Sequence, residues 1–274
     1  MKRIVTIQDI SCLGKCSLTV ALPIISAMGI ETSVIPTAVL SAHTIFEGNT
    51  FKDLTDQIVP IANHWKKKGF DFDAVYTGYL ASKEQISIVS GFIDKFKTNN
   101  NFIFVDPVMA DQGKLYPSFS GDFPEHMRKL CSKADVISPN LTEACIMTGT
   151  PMKDKYDKSY IDEITIKLLD IGCRSIILTG VELNGEYGIY NYDGSNENYY
   201  THEKFKQTFY GTGDVFASAC VGALTKGYKL SKAVETAGNF TFESIKASIN
   251  DPGWRDYGIN FESALGQLIN SINE

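Results

Sequence analysis

Short apolar runs alternate with longer amphipathic segments along almost the whole chain. Several of the short runs are apolar nearly throughout, which is typical of strands covered on both faces. The predicted strands comprise residues 4–8, 32–39, 74–77, 102–105, 136–137 and 175–179. The segments between them repeat apolar side chains at helical spacing. The helices predicted there comprise residues 18–28, 54–68, 83–96, 125–130, 141–148 and 161–171.

The alternation of strand and helix predicts an α/β fold, a three-layer sandwich with a mostly parallel central sheet and helices on both faces. Residues 187–206 are rich in Tyr and Asn and predict a small hairpin at the sheet edge. Three further helices are predicted at 213–226, 230–249 and 261–272. No repeat or linker interrupts the pattern, so we expect one domain over residues 1–274. The loop-like residues 111–122 are the best candidate for a mobile lid.

Composition narrows the functional classes. A 43% hydrophobic content over 274 residues supports a sizeable core. The net charge of −6 argues against nonspecific binding to nucleic acid or to anionic membranes. Asp9 ends the first apolar stretch too early for a signal peptide, and residues 16–30 are too short to span a bilayer. The six cysteines form no Cys-x-x-Cys pair, so free thiols in a reducing compartment are expected. We therefore expect a cytoplasmic protein.

The most informative motif is Gly211-Thr212-Gly213-Asp214, directly before an uncharged segment that predicts a buried helix. The glycines permit tight turning and close approach of a ligand. The first N–H groups of a helix lack intrahelical partners and lie at its positive end, which suits a phosphoryl anion. Asp214 beside that anion could take a proton from an attacking hydroxyl. An alternative interpretation is that Asp214 only caps the helix.

Polar residues follow each predicted strand, and ligands of open α/β sheets bind beyond the carboxyl ends of the strands. The first three groups suit a small polar aromatic ligand. The fourth and fifth supply carboxylates and an amide, the oxygen ligands that magnesium prefers. The groups are Gln8-Asp9, Ser41-Ala42-His43-Thr44, Gly78-Tyr79, Asp106-Pro107-Val108-Met109, Pro139-Asn140-Leu141-Thr142-Glu143 and Thr179-Gly180.

With these motifs the chain resembles the pyridoxal (pyridoxine/pyridoxamine) kinases of the ribokinase-like superfamily. The resemblance extends from the first strand to about residue 249. The Gly-Thr-Gly-Asp and Asn-x-x-Glu patterns mark the superfamily, and the His-Thr and Gly-Tyr-Leu motifs narrow it toward the vitamin B6 branch. The resemblance implies ATP-dependent phosphorylation of the 5′-hydroxymethyl group of a B6 vitamer. It also implies a homodimer that binds the vitamer and ATP, with no nucleic acid or membrane partner.

The resemblance assigns roles residue by residue. Asp214 would be the general base, and the amides of Gly211, Thr212 and Gly213 would hold the transferred phosphoryl group. Asp106 and Glu143 would organise Mg²⁺, and a monovalent cation such as K⁺ is expected near the anion site. The residues expected around the pyridine ring are Asp9, His43, Thr44 and Tyr79. The residues expected around the nucleotide are Asp106, Tyr116, Ser138, Asn140, Glu143 and Thr179.

The sequence departs from the family pattern at two places, and two alternative functions stay open. Many relatives carry serine where this chain has Asp9, and the segment Ser11-Cys12-Leu13-Gly14-Lys15-Cys16 also differs from better-known members. The first alternative is a hydroxymethylpyrimidine (phosphate) kinase of the same fold, and the second is a noncatalytic vitamer-binding protein. No Gly-x-x-x-x-Gly-Lys-Ser/Thr sequence and no Gly-x-Gly-x-x-Gly after the first strand is present, which disfavours a P-loop enzyme and a dinucleotide oxidoreductase.

Overall fold

The protein was analysed as a computed structural model, which describes residues 1–119, 121–205 and 207–272. The strands are β1 (Arg3–Ser11), β2 (Glu31–Leu40), β3 (Phe51–Asp53), β4 (Ala74–Thr77), β5 (Phe102–Val105), β6 (Ala110–Asp111), β7 (Lys114–Leu115), β8 (Val136–Ile137), β9 (Ser175–Leu183), β10 (Glu186–Tyr192) and β11 (Glu197–His202). The helices are α1 (Leu18–Ala27), α2 (Thr55–Lys68), α3 (Lys83–Phe96), α4 (Phe123–Cys131), α5 (Leu141–Thr148), α6 (Lys158–Leu169), α7 (Thr212–Thr225), α8 (Leu230–Ile249) and α9 (Leu265–Ser271), with a 3₁₀ turn at Phe261–Ala264.

The chain divides into two compact units. The first comprises Met1–Tyr76 and Phe205–Glu274, and the second comprises Thr77–Lys204. The expectation of one domain over the whole chain stays a prediction. Ser120, in the predicted lid, and Lys206, at the end of the predicted hairpin segment, lie outside the described residues.

The first unit is built on strands β4, β1, β2 and β3, in that order. β1 and β2 are parallel, and β3 is antiparallel to β2. Ile4, Val5 and Ile7 of β1 are completely buried, as expected for a strand with helices packed around it. Helix α1 packs against β1, β2 and α7, and α7 packs against α8. The end of β1 and the start of α7 therefore both lie next to α1.

The second unit is built on strands β11, β10, β9, β8 and β5, in that order. β5, β8 and β9 are parallel, whereas β9, β10 and β11 form an antiparallel meander. Helices α5 and α6 pack against β9. The short strands β6 and β7 form a separate hairpin.

The predicted α/β fold is confirmed, with a mostly parallel central sheet, helices around it and a small antiparallel hairpin. The predicted positions of β4, β5, β8, α3, α5 and α8 agree with the structure residue for residue. Among the helices that the structure describes, none has the length and apolarity needed to cross a bilayer.

Some predicted boundaries were wrong. β1 continues to Ser11, so Asp9 lies inside the strand, because Ile10 and Ser11 still pair with β2. β9 continues to Leu183 because it pairs with β10, and Thr179 lies within it. The helix predicted at 261–272 begins as a 3₁₀ turn. The two- and three-residue strands β3, β6 and β7 were not predicted, since so few residues carry no periodicity.

Candidate active site

The Gly211–Asp214 motif forms the start of α7. Gly211 is the N-cap residue and has a φ of 77°, a conformation that favours glycine. A Cβ atom at Gly211 would lie 2.1 Å from the carbonyl oxygen of Lys15, so no other residue fits without movement. The helix begins at Thr212, and the backbone N–H groups of its first turn have no partner within the helix. This loop can therefore receive an anion at the positive end of α7.

Asp214 is the third residue of α7, and the N-cap position belongs to Gly211. The alternative that Asp214 serves as the helix cap therefore does not match the geometry. Burial raises the pKa of Asp214 to about 7, opposed by a backbone hydrogen bond from Ser17 and reinforced by the charge of Asp9. A carboxyl group that titrates near neutral pH is suited to general-base catalysis.

Asp9 is only 4% exposed and lies at an irregularity in the pairing of β1 with β2. Such a bulge changes the direction of a side chain. The Ser17 hydroxyl donates to Asp9 Oδ1 at 2.6 Å, and the Ser11 hydroxyl donates to Oδ2 at 3.3 Å. Burial raises the pKa of Asp9, and these two hydrogen bonds oppose the rise. Asp9 is thus a buried carboxyl group held by two hydroxyl donors.

Cys16 lies beside the two carboxyl groups and is 8% exposed. Burial raises the pKa of its thiol well above the usual range, and the charges of Asp214 and Asp9 raise it further. Only a thiolate is a strong nucleophile, so we expect the Cys16 thiol to be unreactive at neutral pH. All six cysteines are free.

His43 is partly buried in the loop after β2. Its backbone N–H donates to the Leu13 carbonyl at 2.7 Å, and its Nδ1 accepts the backbone N–H of Ile45 at 3.2 Å. Burial lowers the pKa of the imidazole, so the neutral ring is favoured. Its Nε2–H then remains as a donor. The ring also contacts Tyr210, with centroids 5.5 Å apart, while Thr44 is exposed in the next turn.

In the second unit, Asn140 and Glu143 form a capping box at the start of α5. Asn140 Oδ1 accepts the Glu143 N–H and Glu143 Oε2 accepts the Asn140 N–H, both at 2.9 Å. Glu143 Oε1 accepts the N–H of Met109 at 3.0 Å and that of Ala110 at 3.4 Å. Burial raises the pKa of Glu143, opposed by these backbone donors. The motif thus connects α5 to the segment that follows β5.

The same turn anchors the β6–β7 hairpin. Asn140 Nδ2 donates to the Ala110 carbonyl at 2.8 Å, and Thr142 Oγ1 accepts the Gly113 N–H at 3.0 Å. The Tyr116 N–H donates to the Met109 carbonyl at 2.9 Å. The first part of the predicted lid is therefore fixed at its base by α5. Lid motion stays a prediction.

Of the other predicted residues of the second unit, Thr179 lies within β9, Tyr116 directly follows β7, and the rest follow the ends of strands. Asp106 and Ser138 are 7% and 5% exposed, and their N–H groups donate to the carbonyls of Thr77 and Val105. Thr179 forms an isolated parallel bridge with Asn140. The Tyr79 ring contacts Phe119, with centroids 5.6 Å apart, and Phe119 stacks on Phe123 at 3.8 Å. The ring of Tyr116 also lies near Phe119, at 6.4 Å.

The donor chemistry of this unit fits Mg²⁺ in part. Asp106 and Glu143 offer carboxylate oxygens, which Mg²⁺ prefers. Both oxygens of Glu143 already accept peptide N–H groups, so they fit a metal-bound water better than direct coordination. Among the residues that the structure describes, no group of three or more His, Cys, Asp or Glu side chains could hold a metal ion. Most ligands of such an ion would then be water and nucleotide oxygens.

Two residues of the first unit were missed from the sequence. The Ser17 hydroxyl donates to Asp9, and its φ of 50° is unusual for a residue other than glycine. Lys15 presents its carbonyl to Gly211 and binds Glu262 and Asn260 through its ammonium group at 2.9 and 2.8 Å. The one available signal was a serine directly before an uncharged helix, which predicts an ordinary cap.

Comparison with known proteins identifies the family. A profile described as phosphomethylpyrimidine kinase matches residues 22–254. The chain belongs to the phosphomethylpyrimidine kinase family. The Gly211–Asp214 loop lies within the matched residues.

The similar proteins are named either as phosphomethylpyrimidine kinases or as pyridoxal kinases. A Bacteroides thetaiotaomicron protein, provisionally named a phosphomethylpyrimidine kinase and crystallised with pyridoxal, is 39% identical, with a TM-score of 0.91, over 97% of this chain and 95% of that one. Pyridoxal kinase from Lactobacillus plantarum is 27% identical, with a TM-score of 0.90, over 98% and 97%. A hydroxymethylpyrimidine/phosphomethylpyrimidine kinase of Aquifex aeolicus is 33% identical over 65% of this chain and 69% of its own length. The resemblance to pyridoxal kinases is thereby confirmed.

Proposed function

We propose that this chain transfers a phosphoryl group from ATP to the 5′-hydroxymethyl group of a vitamin B6 vitamer, in the salvage of pyridoxal phosphate. The acceptor would be pyridoxal, pyridoxine or pyridoxamine. The observation that carries the proposal is the pyridoxal found with the Bacteroides relative, which is 39% identical over 97% of this chain. The pairing of Asp214 with an anion-binding helix start in the first unit supports the same chemistry.

In the proposed reaction, the ionised Asp214 accepts the proton of the vitamer hydroxyl. The hydroxyl oxygen forms a bond to the γ-phosphorus, the bond from that phosphorus to the β–γ bridging oxygen breaks, and ADP leaves. The amides of Gly211, Thr212 and Gly213 would stabilise the charge on the transferred group. The residues proposed to surround the pyridine ring are Asp9, His43, Thr44 and Tyr79.

The nucleotide would be handled by residues of the second unit. Asp106 and Glu143 would hold Mg²⁺, with Glu143 acting through water, and the ion would neutralise charge on the phosphates. The residues proposed to contact ATP are Asp106, Tyr116, Ser138, Asn140, Glu143 and Thr179. A monovalent cation such as K⁺ near the start of α7, and a homodimer, stay predictions.

Hydroxymethylpyrimidine or its phosphate is the second candidate substrate. It is favoured by the family profile over residues 22–254 and by the Aquifex aeolicus relative. Its ring also carries a hydroxymethyl group, so the same base and anion site would serve. The buried carboxyl group of Asp9, two residues before the end of β1, offers a partner for a basic ring nitrogen. We favour the vitamer because a pyridine nitrogen is protonated more readily than a pyrimidine nitrogen.

A side-by-side kinase assay tests the substrate. Purified protein is given ATP and magnesium with pyridoxal, pyridoxine, pyridoxamine or hydroxymethylpyrimidine, and ADP release and the phosphorylated product are measured. We expect at least one vitamer to have a kcat/KM tenfold or more above that of the pyrimidine. A clear preference for the pyrimidine would overturn the vitamer assignment, and ADP release without product would overturn transfer to either ring.

A further inference from the structure

Lys15 lies between the anion loop at the start of α7 and the segment that follows α8. Its carbonyl oxygen is so close to Gly211 that a Cβ atom on that glycine would be 2.1 Å away. Its ammonium group donates to Asn260 Oδ1 at 2.8 Å and to Glu262 Oε2 at 2.9 Å. One residue of the first unit therefore contacts the loop with its backbone and the later segment with its side chain.

The 251–262 segment also packs against the backbone and stem of Lys15. The Lys15 N–H donates to the Tyr257 carbonyl at 3.4 Å, which is a long hydrogen bond. A Cβ atom on Gly258 would be 2.4 Å from the Cβ of Lys15, so this close approach requires a glycine. Only 20% of the Lys15 side chain is exposed, so its stem is packed and cannot move freely. The two shorter bonds of the ammonium group are the stronger restraint on this residue.

The same segment is held to α8 and contacts the anion loop at a second point. The Asn260 N–H donates to Ser248 Oγ, near the end of α8, at 2.7 Å. The ring of Trp254 contacts that of Phe209, two residues before Gly211, with centroids 5.5 Å apart. The segment therefore supports the loop through Lys15 and through the residues that lead into it.

We propose that Lys15 is a positioning residue that fixes the anion loop for phosphoryl transfer, held in place by Asn260 and Glu262. Backbone N–H groups stabilise charge on a transferred group only while they stay directed at it. With its ammonium group bound, Lys15 keeps its carbonyl against Gly211 and limits the movement of that residue. The amides of the loop then stay in place without a direct contact from the lysine side chain.

The family motifs do not predict this contact. The family profile matches residues 22–254, whereas Lys15 precedes that range and both Asn260 and Glu262 follow it. Lys15 also belongs to the segment that differs from better-known relatives. Its role must therefore be measured in this chain.

The first test follows the anion loop in the ligand-free protein by NMR, with glycine labelled with ¹⁵N. Lys15→Met removes the charge and keeps the length of the stem, whereas Lys15→Arg keeps a cation. Lys246→Met is the matched control, because Lys246 pairs with Glu243 inside α8 of the same unit. The glycine signals are assigned from sequential backbone spectra.

We expect Lys15→Met to shift the amide signals of Gly211 and Gly213 several times more than Lys246→Met does. Lys15→Arg should return them toward the parent positions. Glu262→Gln leaves Lys15 in place and should give a smaller shift in the same direction, so it serves if Lys15→Met folds poorly. Signals of the loop that move no more than in Lys246→Met would overturn the proposal.

Kinetics of the same variants test the effect on transfer, and only this part rests on the proposed function. In Lys15→Met, kcat for the vitamer should fall by roughly tenfold, because the loop amides act on charge that develops in the transition state. The KM values for ATP and vitamer should stay within about twofold, since ground-state binding is kept. The double variant Lys15→Met/Glu262→Gln should be no slower than Lys15→Met, because both changes remove the same contact.

Three kinetic results contradict the proposal. They are an unchanged kcat in Lys15→Met, KM values that rise as much as kcat falls, and a double variant whose loss equals the product of the two single losses. If neither a vitamer nor the pyrimidine is phosphorylated but the glycine signals shift as expected, the proposed function fails. The contact through which Lys15 positions the loop then stands.

Discussion

Each unit holds a carboxyl group that desolvation makes harder to ionise, but the two groups have different surroundings. In the first unit, burial raises the pKa of Asp214 to about 7, and the backbone of Ser17 opposes the rise only in part. In the second, Glu143 accepts backbone N–H groups on both oxygens, from Met109 and Ala110 on one and Asn140 on the other. A carboxylate whose oxygens both accept peptide N–H groups holds the backbone in place. One with open lone pairs can accept a substrate proton.

The comparison shows that a raised pKa alone does not identify a base. Burial acts on Asp214 and Glu143 in the same direction. The difference lies in the number of backbone donors, which local geometry sets through a capping box at α5 and a glycine N-cap at α7. The variants below test this difference in order of expected effect.

The largest effect should come from Asp214→Asn, which removes the base and keeps the shape. Loss of general-base catalysis typically costs about 10²–10⁴-fold in turnover. We expect kcat to fall in that range while the affinity for a nonhydrolysable ATP analogue, measured by calorimetry, stays within twofold. In the parent, kcat/KM should fall as the pH drops below about 7, where Asp214 becomes protonated. Turnover within tenfold of the parent would contradict the role of Asp214.

The sequence predicts this base but not the partners that tune it. Gly211 and Asp214 are adjacent to a helix, so motif and element are both visible in the chain. Ser17 and Asp9 bond across a turn whose geometry depends on a positive φ and a β-bulge. A positive φ at a residue other than glycine and a β-bulge leave no local pattern in the sequence. This pairing could therefore not be predicted.

In the second unit, too, the sequence predicts one contact of a residue and misses another. The Asn140-x-x-Glu143 spacing predicts a capping box, since N3 lies three positions after the N-cap. It does not predict that the other oxygen of Glu143 binds Met109 and Ala110, which are more than 30 residues earlier in the chain. The role of Glu143 in binding Mg²⁺ therefore stays a prediction, whereas its contacts with the backbone are observed.

A substitution in the anion loop should have the next largest effect. Gly211→Ala would place a Cβ 2.1 Å from the Lys15 carbonyl oxygen at a φ of 77°. The loop must move, and a displacement of about 1 Å at a reacting group can cost on the order of 10²-fold in kcat/KM. Gly213→Ala is the matched control for stability, because a Cβ there meets nothing within 4 Å. Equal unfolding midpoints for the two variants in urea would show that the contact with Lys15 is not tight.

The size of the change in stability at pH 8 should separate Asp214 from Glu143. The folded protein keeps Asp214 protonated up to about pH 7, whereas the unfolded chain ionises it near its ordinary 3.8. The folded state is therefore penalised as the pH rises through that window, by on the order of 2–4 kcal/mol. Asp214→Asn should then be more stable than the parent at pH 8, with a smaller gain at pH 5.

Glu143→Gln should gain less stability than Asp214→Asn at pH 8. It relieves a similar penalty, since burial raises the pKa of Glu143 to about 8, but its NH₂ group faces a peptide N–H that needs an acceptor, at a cost of about 1–3 kcal/mol. Urea unfolding with EDTA present measures both variants without metal. If Glu143→Gln gains as much stability at pH 8 as Asp214→Asn, the distinction drawn from their backbone donors fails.

The smallest effect should come from Thr142→Val, which removes the acceptor of the Gly113 N–H. Gly113 is exposed, so water can replace the lost bond and stability should change by less than about 1 kcal/mol. The β6–β7 hairpin should nevertheless open more often, which limited proteolysis within residues 111–119 would detect as a severalfold faster cleavage. Thr148→Val, in the last turn of the same helix, is the control, because its hydroxyl bonds within α5 and to Thr150. If ATP and vitamer slow this cleavage equally in parent and Thr142→Val, the ligands, and not the α5 anchor, hold the hairpin closed.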